Sequence, residues 1–246
     1  MVEQPDSLPF KKIINCNIGN PQQLKQKPIT FFRQVLSLLE WPDILQQSPE
    51  AARVYPADVV QRAKEILKAC GGSIGAYSHS KGIPYIRQHV AQFLKERDGY
   101  DADAEHLFLT NGASEGVKAV LDTLVQHPNC GVLIPIPQYP LYTASLTLFN
   151  AKAVPYYLEE TSDWTLKASA VQESIHKARA EGIDVRALVV INPGNPIGNC
   201  LTLADMQEVR RLFFLYSCPA RLTAADLMLL YGLIRSYAFA TTKTSS

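Results

Sequence analysis

The sequence predicts an α/β protein, a three-layer α-β-α arrangement around a mostly parallel sheet. Two observations indicate this fold class. From about residue 105 to residue 212, short apolar runs alternate with segments whose apolar residues recur every three or four positions. The connections between them are short, which is typical of parallel strands joined by crossover helices. The predicted strands lie at about 106–109, 131–134, 152–157 and 187–191.

Helices are predicted before, between and after these strands, each from a buried stripe of apolar residues. They lie at about 29–40, around Val59 to Leu67, around Ile86 to Leu94, around Val117 to Val125, at about 140–149 and 168–181, and around Met206 to Phe213. The last residues differ from the rest because Leu, Ala, Tyr and Phe crowd together there with few charges. We expect an amphipathic helix near 222–235 or, alternatively, a loosely packed, non-native tail.

Composition excludes several classes of protein. The chain has 246 residues, 47% hydrophobic and 19% charged, and a net charge of +1. No basic stripe indicates nucleic acid, and no apolar stretch is long enough for a bilayer. Five scattered cysteines and no glycosylation sequon favour a reducing compartment. The amino terminus does not resemble a signal peptide. The histidines show no metal-ligand spacing, so we expect no metal.

Three loops follow predicted strands and therefore point to the carboxyl edge of one sheet, where open α/β sheets bind small ligands. Asn111-Gly-Ala-Ser114 opens a helix and suits a phosphate, or is a simply capped helix end. Tyr139, held among prolines, presents a ring that stacks on a heteroaromatic ligand or packs on the core. Asn195, in Asn192-Pro-Gly-Asn-Pro, donates to a ring oxygen or belongs to an ordinary turn. Pyridoxal 5'-phosphate (PLP) carries a phosphate, a heteroaromatic ring and a ring oxygen.

The order of these motifs resembles the class I aminotransferases of fold type I. The segments Asn17-Ile-Gly-Asn-Pro, Pro28-Ile-Thr-Phe-Phe-Arg, Ala69-Cys-Gly-Gly, Pro135-Ile-Pro-Gln-Tyr-Pro-Leu-Tyr and Ile191-Asn-Pro-Gly-Asn-Pro are similar in particular to those of alanine aminotransferases. The likeness covers roughly residues 10–210. Position 197 departs from it, because Ile197 stands where the family usually has threonine.

The resemblance implies a role for each matching residue. Ala113 and Ser114 would bind the cofactor phosphate, Tyr139 would stack on the pyridine ring, and Asn195 would bond the phenolic oxygen. Tyr77 would reach the phosphate held by the partner subunit of a homodimer, and Gly19 would lie beside the substrate carboxylate. The resemblance also implies three segments: an arm and interface helix over 1–56, a partial PLP-binding large domain over 57–212, and a divergent tail over 213–246.

The catalytic lysine of this family lies downstream of the asparagine loop, and we find no catalytic residue to assign in this chain. Ser80-Lys81-Gly82 looks like the family's Schiff-base motif but precedes every predicted strand. Asp226 follows an apolar stretch near where the family's pyridine-pairing aspartate would lie, yet its surroundings look helical. We interpret both as chance similarities.

The resulting expectation is a transaminase of the alanine:2-oxoglutarate type by family, C-terminally truncated and without activity of its own. Its substrates would be an amino acid and a 2-oxo acid, with no nucleic acid or membrane partner. The alternatives are a non-catalytic fragment that pairs with full-length subunits, or a product without function. A cytoplasmic location is expected, or a mitochondrial one if a presequence precedes Met1.

Overall fold

A computed structural model of the chain describes residues 21–47, 50, 53–217, 228–233 and 236–239. The chain separates into two compact units, Met1–Leu109 and Thr110–Ser246. The boundaries at 56/57 and 212/213 drawn from the family resemblance are functional divisions and stay a prediction.

The amino-terminal unit is helical in the part that the structure describes. Its helices are α1 (Phe31–Glu40), α2 (Ile44–Gln47), α3 (Ala57–Ala69) and α4 (Pro84–Asp98), followed by a 3-10 turn at Ala104–His106. The facing stripes of α1 and α3 bury Val35, Leu38, Ala63 and Ile66 in one cluster. Helix α4 begins with proline at its first position and ends at Gly99 in the left-handed conformation, as expected for those residues.

The second unit is built around a five-stranded sheet. Its strands are β1 (Cys130–Ile136), β2 (Lys152–Tyr157), β3 (Asp184–Ile191), β4 (Met228–Leu233) and β5 (Ser236–Phe239). They lie in the order β2-β1-β3-β4-β5. The pairs β1–β2, β1–β3 and β3–β4 are parallel, and β5 is antiparallel to β4. The helices of this unit are α5 (Ala113–Leu124), α6 (Leu141–Leu148), α7 (Ala168–Ala180) and α8 (Leu203–Ser217).

Alternate residues along the strands pack against two different helix layers, because successive side chains of a strand point to opposite faces. Val132 and Val189 join α5 and α6 in one apolar cluster. Leu133 and Leu188, their neighbours in the sequence, join α7 and α8 in the other. The predicted three-layer α-β-α fold with a mostly parallel sheet is therefore confirmed.

Two predicted elements are wrong. Residues 106–109 do not form a strand: a 3-10 turn ends at His106, and the Leu109 amide donates to the Lys81 carbonyl at 2.9 Å. An apolar run becomes a strand only where a neighbouring strand takes up its backbone groups.

The second correction concerns the predicted helix near 222–235. Residues Met228–Leu233 form β4 and pair in parallel with Ala187–Ile191. The backbone groups along the free side of β3 pair with this segment, and pairing of that kind selects a strand over a helix. Residues 222–227 and 234–235, Asp226 among them, lie outside the described residues.

Candidate functional site

Two of the three loops that the sequence singles out leave the carboxyl edge of the sheet. Strands β1 and β3 are parallel neighbours, so the loop after Ile136 and the loop after Ile191 leave the same edge. Helix α5 immediately precedes β1 and packs along it through Val117 and Leu121. Since only residues 125–129 connect α5 to β1, we expect the helix to run antiparallel to the strand, with its amino-terminal end at this same edge.

The amino terminus of α5 is suited to an anion. Gly112 precedes the helix with φ +76°, a conformation that glycine adopts without strain, and a Cβ there would meet nothing within 4 Å. Ser114 is exposed and Ala113 half-buried. The first backbone N–H groups of a helix have no partner within it, and the helix dipole adds a partial positive charge.

A carboxylate of the chain already lies at this positive end. Glu115, in the first turn, accepts a hydrogen bond from the backbone amide of Asn111. Thr110 Oγ1 donates to the Gly112 carbonyl at 3.0 Å and so fixes the turn before the helix. The chain therefore already places one negative charge in the first turn of α5, and an incoming anion would meet the charge of Glu115.

The loop after β1 presents Tyr139 with 46% of its surface exposed. The ring is therefore free to receive a flat ligand, whereas a tyrosine packed on the core would be covered. Beside it, Gln138 has a side-chain oxygen, Oε1, that is buried without a hydrogen-bond partner in the part of the chain that the structure describes. An unpaired buried oxygen costs about 1–3 kcal/mol, so a ligand or water that donated to it would be stabilised. Sequence analysis missed Gln138, although its place between two prolines and beside Tyr139 was a usable signal.

The loop after β3 holds Asn195 at its exposed surface. The Gly198 amide donates to the Gly194 carbonyl at 2.7 Å, and Gly198 has φ +82°. Asn199 Nδ2 donates to the Trp164 carbonyl at 2.7 Å and ties this loop to the segment before α7. The backbone around Asn195 is thus fixed while its amide stays accessible.

The space between the β1 and β3 loops is small. A cavity lined by Pro137, Tyr156, Asn195 and neighbouring residues has a volume of about 10 Å³, the room of one water. The Tyr156 hydroxyl in its wall donates to the Val189 carbonyl at 2.7 Å, and burial raises the pKa of Tyr156 well above its usual range. This space is too small for a six-membered ring, so a flat ligand would meet the exposed side chains of Tyr139 and Asn195 instead.

The remaining residues singled out in the sequence do not belong to the described loops of the sheet unit. Tyr77 belongs to the amino-terminal unit and is fully exposed, and Gly19 lies outside the described residues. Lys81 Nζ donates to the Glu105 carbonyl at 2.8 Å and pairs with its carboxylate at 3.4 Å. Hydrogen bonds and charge from Arg87 first, and then from Lys81, hold the pKa of Glu105 below its ordinary value. Lys81 thus has a local ion-pair role in its own unit.

Comparison with known proteins gives the class of this chain. Residues 48–216 match the family described as aminotransferase class I and II. The chain belongs to the class I and II aminotransferases, and the resemblance drawn from its motifs is confirmed.

Individual relatives refine the comparison. The chain is 51% identical over 207 residues to a probable mitochondrial alanine aminotransferase of Dictyostelium discoideum, covering 84% of this chain and 39% of that protein. It is 47% identical over 212 residues to glutamate–glyoxylate aminotransferase 2 of Arabidopsis thaliana, covering 86% and 43%. The chain thus spans about two fifths of the length of these relatives.

A solved structure shows the same fold. The alanine aminotransferase of Pyrococcus furiosus superposes with a TM-score of 0.60 at 18% identity, over 88% of this chain and 51% of that one. No helix in the described ranges of the present chain is both long and apolar enough to cross a membrane.

Proposed function

We propose that these residues form the cofactor-binding part of an aminotransferase acting between alanine and 2-oxoglutarate. The observation that carries the proposal is that the loops after the parallel strands β1 and β3 leave one sheet edge with an exposed tyrosine ring and an exposed asparagine amide. The exposed serine at the amino terminus of α5 is the third group that the proposal assigns. The relatives named alanine aminotransferases support the substrate pair, and the relative named for glutamate and glyoxylate is the main competitor.

The residues present fit PLP. Its phosphate would bind the N–H groups at Ala113 and Ser114 and the Ser114 hydroxyl, its ring would lie on Tyr139, and its phenolic oxygen would accept from the Asn195 amide. When bound, the cofactor supplies an electron-accepting ring that stabilises negative charge at the substrate Cα. The chain's own residues hold and orient it. Gln138 Oε1 would gain a donor if an ordered water were trapped beneath the ring.

The remaining roles concern the assembly. In a homodimer, Tyr77 would extend to the phosphate site of the second subunit, which its full exposure permits. Gly19 would lie beside the carboxylate of the amino acid or 2-oxo acid substrate. A cytoplasmic location stays our proposal; three free cysteines in the described residues fit a reducing compartment, whereas the name of the Dictyostelium relative gives a mitochondrial location.

A second candidate function is that of an interaction fragment that pairs with full-length subunits. Apolar side chains on and before α1 are exposed: Ile29 by 64%, Phe31 by 43%, Phe32 by 45% and Leu36 by 47%. Several large exposed apolar side chains within one short segment are typical of a protein interface. Activity of a full-length enzyme that fell as the fragment was added would support this function, and activity unchanged at every ratio would exclude it.

The experiment that tests the main proposal uses pyridoxine 5'-phosphate, which has the ring and phosphate of the cofactor but no aldehyde to react with surface lysines. We expect saturable binding, measured by equilibrium dialysis, and no comparable binding of pyridoxine without phosphate. Equal binding of both compounds, or of neither, would contradict the proposed phosphate site.

Catalysis is tested separately with PLP, L-alanine and 2-oxoglutarate. We expect the 246-residue chain alone to produce no pyruvate above the rate of free PLP, because we assign it no Schiff-base lysine and because Lys81 is paired with Glu105. Borohydride reduction followed by peptide mapping should find no lysine preferentially labelled. Preferential labelling of Lys81, lost in Lys81→Ala together with pyruvate formation, would overturn this expectation.

Removing the charge of Glu115 should strengthen binding of the phosphate compound. A single charge at a helix end is worth about 0.3–1 kcal/mol, so Glu115→Gln should raise the affinity for pyridoxine 5'-phosphate by about two- to fivefold. Asp122→Asn, the same change near the other end of α5, is the matched control and should leave the affinity unchanged. An equal gain in both variants would indicate a general charge effect instead of a local one.

A further inference from the structure

A second cluster of reactive side chains lies at the amino-terminal edge of the sheet, away from the loops described above. It consists of His127, Cys130 and Asp184, which each offer one ligand atom, and these three atoms all lie within 4.8 Å of one another. Cys130 is the first residue of β1 and Asp184 the first of β3, and the two are paired in register. The cluster therefore joins the beginnings of the two central strands.

The backbone holds the three residues in place. The Cys130 amide donates to the His127 carbonyl at 3.0 Å, which closes a tight turn over His127-Pro-Asn-Cys130. The Asp184 amide donates to the Asn129 carbonyl at 2.9 Å and ties β3 to the same turn. Little backbone entropy would therefore be lost when the three side chains take a common ligand, because the backbone around them is already fixed.

The donor set has a chemical preference. A thiolate, an imidazole and a carboxylate together suit Zn²⁺, which takes S, N and O ligands in tetrahedral geometry at roughly 2.0–2.3 Å. His127 Nε2 and Asp184 Oδ2 are 3.3 Å apart, close to the separation of two ligands on one tetrahedral ion. Cys130 is buried, whereas His127 and Asp184 are partly exposed with side-chain exposures of 43% and 35%, so a fourth position would face solvent.

One neighbouring charge opposes a cation. Arg186 Nε pairs with Asp184 Oδ2 at 2.7 Å, and Arg186 also donates to Gln126 Oε1 at 3.2 Å. The guanidinium therefore fixes the orientation of the carboxylate as an outer partner of a ligand does, but its charge lowers the affinity for a metal. The thiolate and the carboxylate carry two negative charges against it, so an ion of charge +2 still enters a net attractive site.

We propose that His127, Cys130 and Asp184 bind a zinc-like divalent transition metal ion, with water in the fourth position, and that the ion clips the start of β1 to the start of β3. The proposal does not depend on the proposed transaminase function, because the cluster lies at the opposite edge of the sheet. It also differs from the expectation of no metal drawn from sequence, which considered histidine spacings and had no means of placing Asp184 beside Cys130.

The test is a titration of the chelator-treated 246-residue chain with Co²⁺, which takes the same geometry and absorbs visible light. We expect intense visible bands typical of a tetrahedral ion, a near-ultraviolet band from the thiolate, and loss of both when one equivalent of Zn²⁺ is added. Cys130→Ala should lose the thiolate band, and His127→Gln should weaken Co²⁺ binding more than about tenfold, the lower limit seen for outer-shell changes. Cys200→Ser, which alters an exposed thiol elsewhere, and His106→Gln should leave the spectrum unchanged.

Some results of this titration would overturn the proposed metal site. Weak, octahedral-type Co²⁺ bands that are the same in the parent and in His127→Gln would overturn the proposal, as would a thiolate band that survives in Cys130→Ala. Since Cys130 is buried, circular dichroism is used to check that the Cys130→Ala variant keeps its fold. Asp184→Asn is a second variant of the same site. Weaker Co²⁺ binding by Asp184→Asn at unchanged secondary structure would support the site, and equally strong binding would contradict it.

Discussion

Replacing Ser114 with aspartate is expected to reduce the affinity for pyridoxine 5'-phosphate by roughly thirtyfold or more. Two unit charges about 4 Å apart in water repel by about 1 kcal/mol, and a phosphate carries nearly two negative charges. The new carboxylate would also take the helix N–H groups that the phosphate needs. Equilibrium dialysis of the parent and of Ser114→Asp measures the effect.

The same substitution should not destabilise the protein. An acidic residue in the first turn of a helix is favourable by about 0.3–1 kcal/mol, so Ser114→Asp should unfold at an equal or slightly higher urea concentration. The control is Thr123→Asp, which introduces the same charge at an exposed position in the last turn of α5. Its binding should match the parent while its stability falls slightly. Retained binding in Ser114→Asp would show that the phosphate does not lie at this helix end.

Much of the sheet was predictable because the apolar pattern of each strand matches its position in the folded core. The runs that became β1 and β3 are apolar and end in turns that contain proline, so each specifies a buried strand without reference to its neighbours. The run that became β2 instead alternates, with Val154 and Tyr156 buried between exposed residues. Residues 106–109 and 228–233 both have apolar sequences, but only the second segment forms a strand. The first has its backbone bonded to Lys81 and to the preceding turn, and the second lies against the open edge of β3. Whether such a segment becomes a strand depends on the strand available to pair with it, and the local sequence pattern does not reveal that partner.

The candidate site follows from the sequence only in part. Parallel strands place their following loops at one edge, so the order strand, loop, helix brings the loops of Tyr139 and Asn195 to the same side of the sheet. The same argument does not place Ser114, because the run before it, residues 106–109, forms no strand. The sequence does not reveal whether an individual side-chain oxygen is buried or hydrogen-bonded. The buried and unpaired Oε1 of Gln138 and the carboxylate of Glu115 at the helix end depend on packing and rotamers.

The His127–Cys130–Asp184 cluster could not have been predicted from sequence patterns. His127 and Cys130 are three residues apart, but Asp184 comes 54 residues after Cys130 in the chain. Only the register of β1 against β3 brings it alongside, and that register shifts by one residue next to this point, between Gly131 and Val132. A displacement of one residue would have put Val185 opposite Cys130, so the cluster is a property of the pairing and not of any motif.

The largest effect on stability is expected from Leu188→Ala in the middle of β3. Leu188 is fully buried, lies opposite Leu133 in the sheet and belongs to the cluster formed with α7 and α8. Replacing such a leucine by alanine removes apolar contacts and leaves a cavity, which costs about 2–5 kcal/mol. Leu203→Ala is the matched control, because Leu203 has 68% of its surface exposed, and it should change the free energy of unfolding by no more than about 0.5 kcal/mol.

The measurement must report on the sheet unit alone, because the two compact units need not unfold together. The chain has two tryptophans, Trp41 in the helical unit and Trp164 in the sheet unit. In a Trp41→Phe background, Trp164 fluorescence therefore follows the second unit during urea unfolding. We expect the midpoint of Leu188→Ala to fall well below that of Leu203→Ala, or its folded baseline to vanish. Equal midpoints would mean that β3 does not lie at the centre of a packed core, and the loops that it carries, Asn195 included, would then lack the rigid support on which the proposed cofactor site depends.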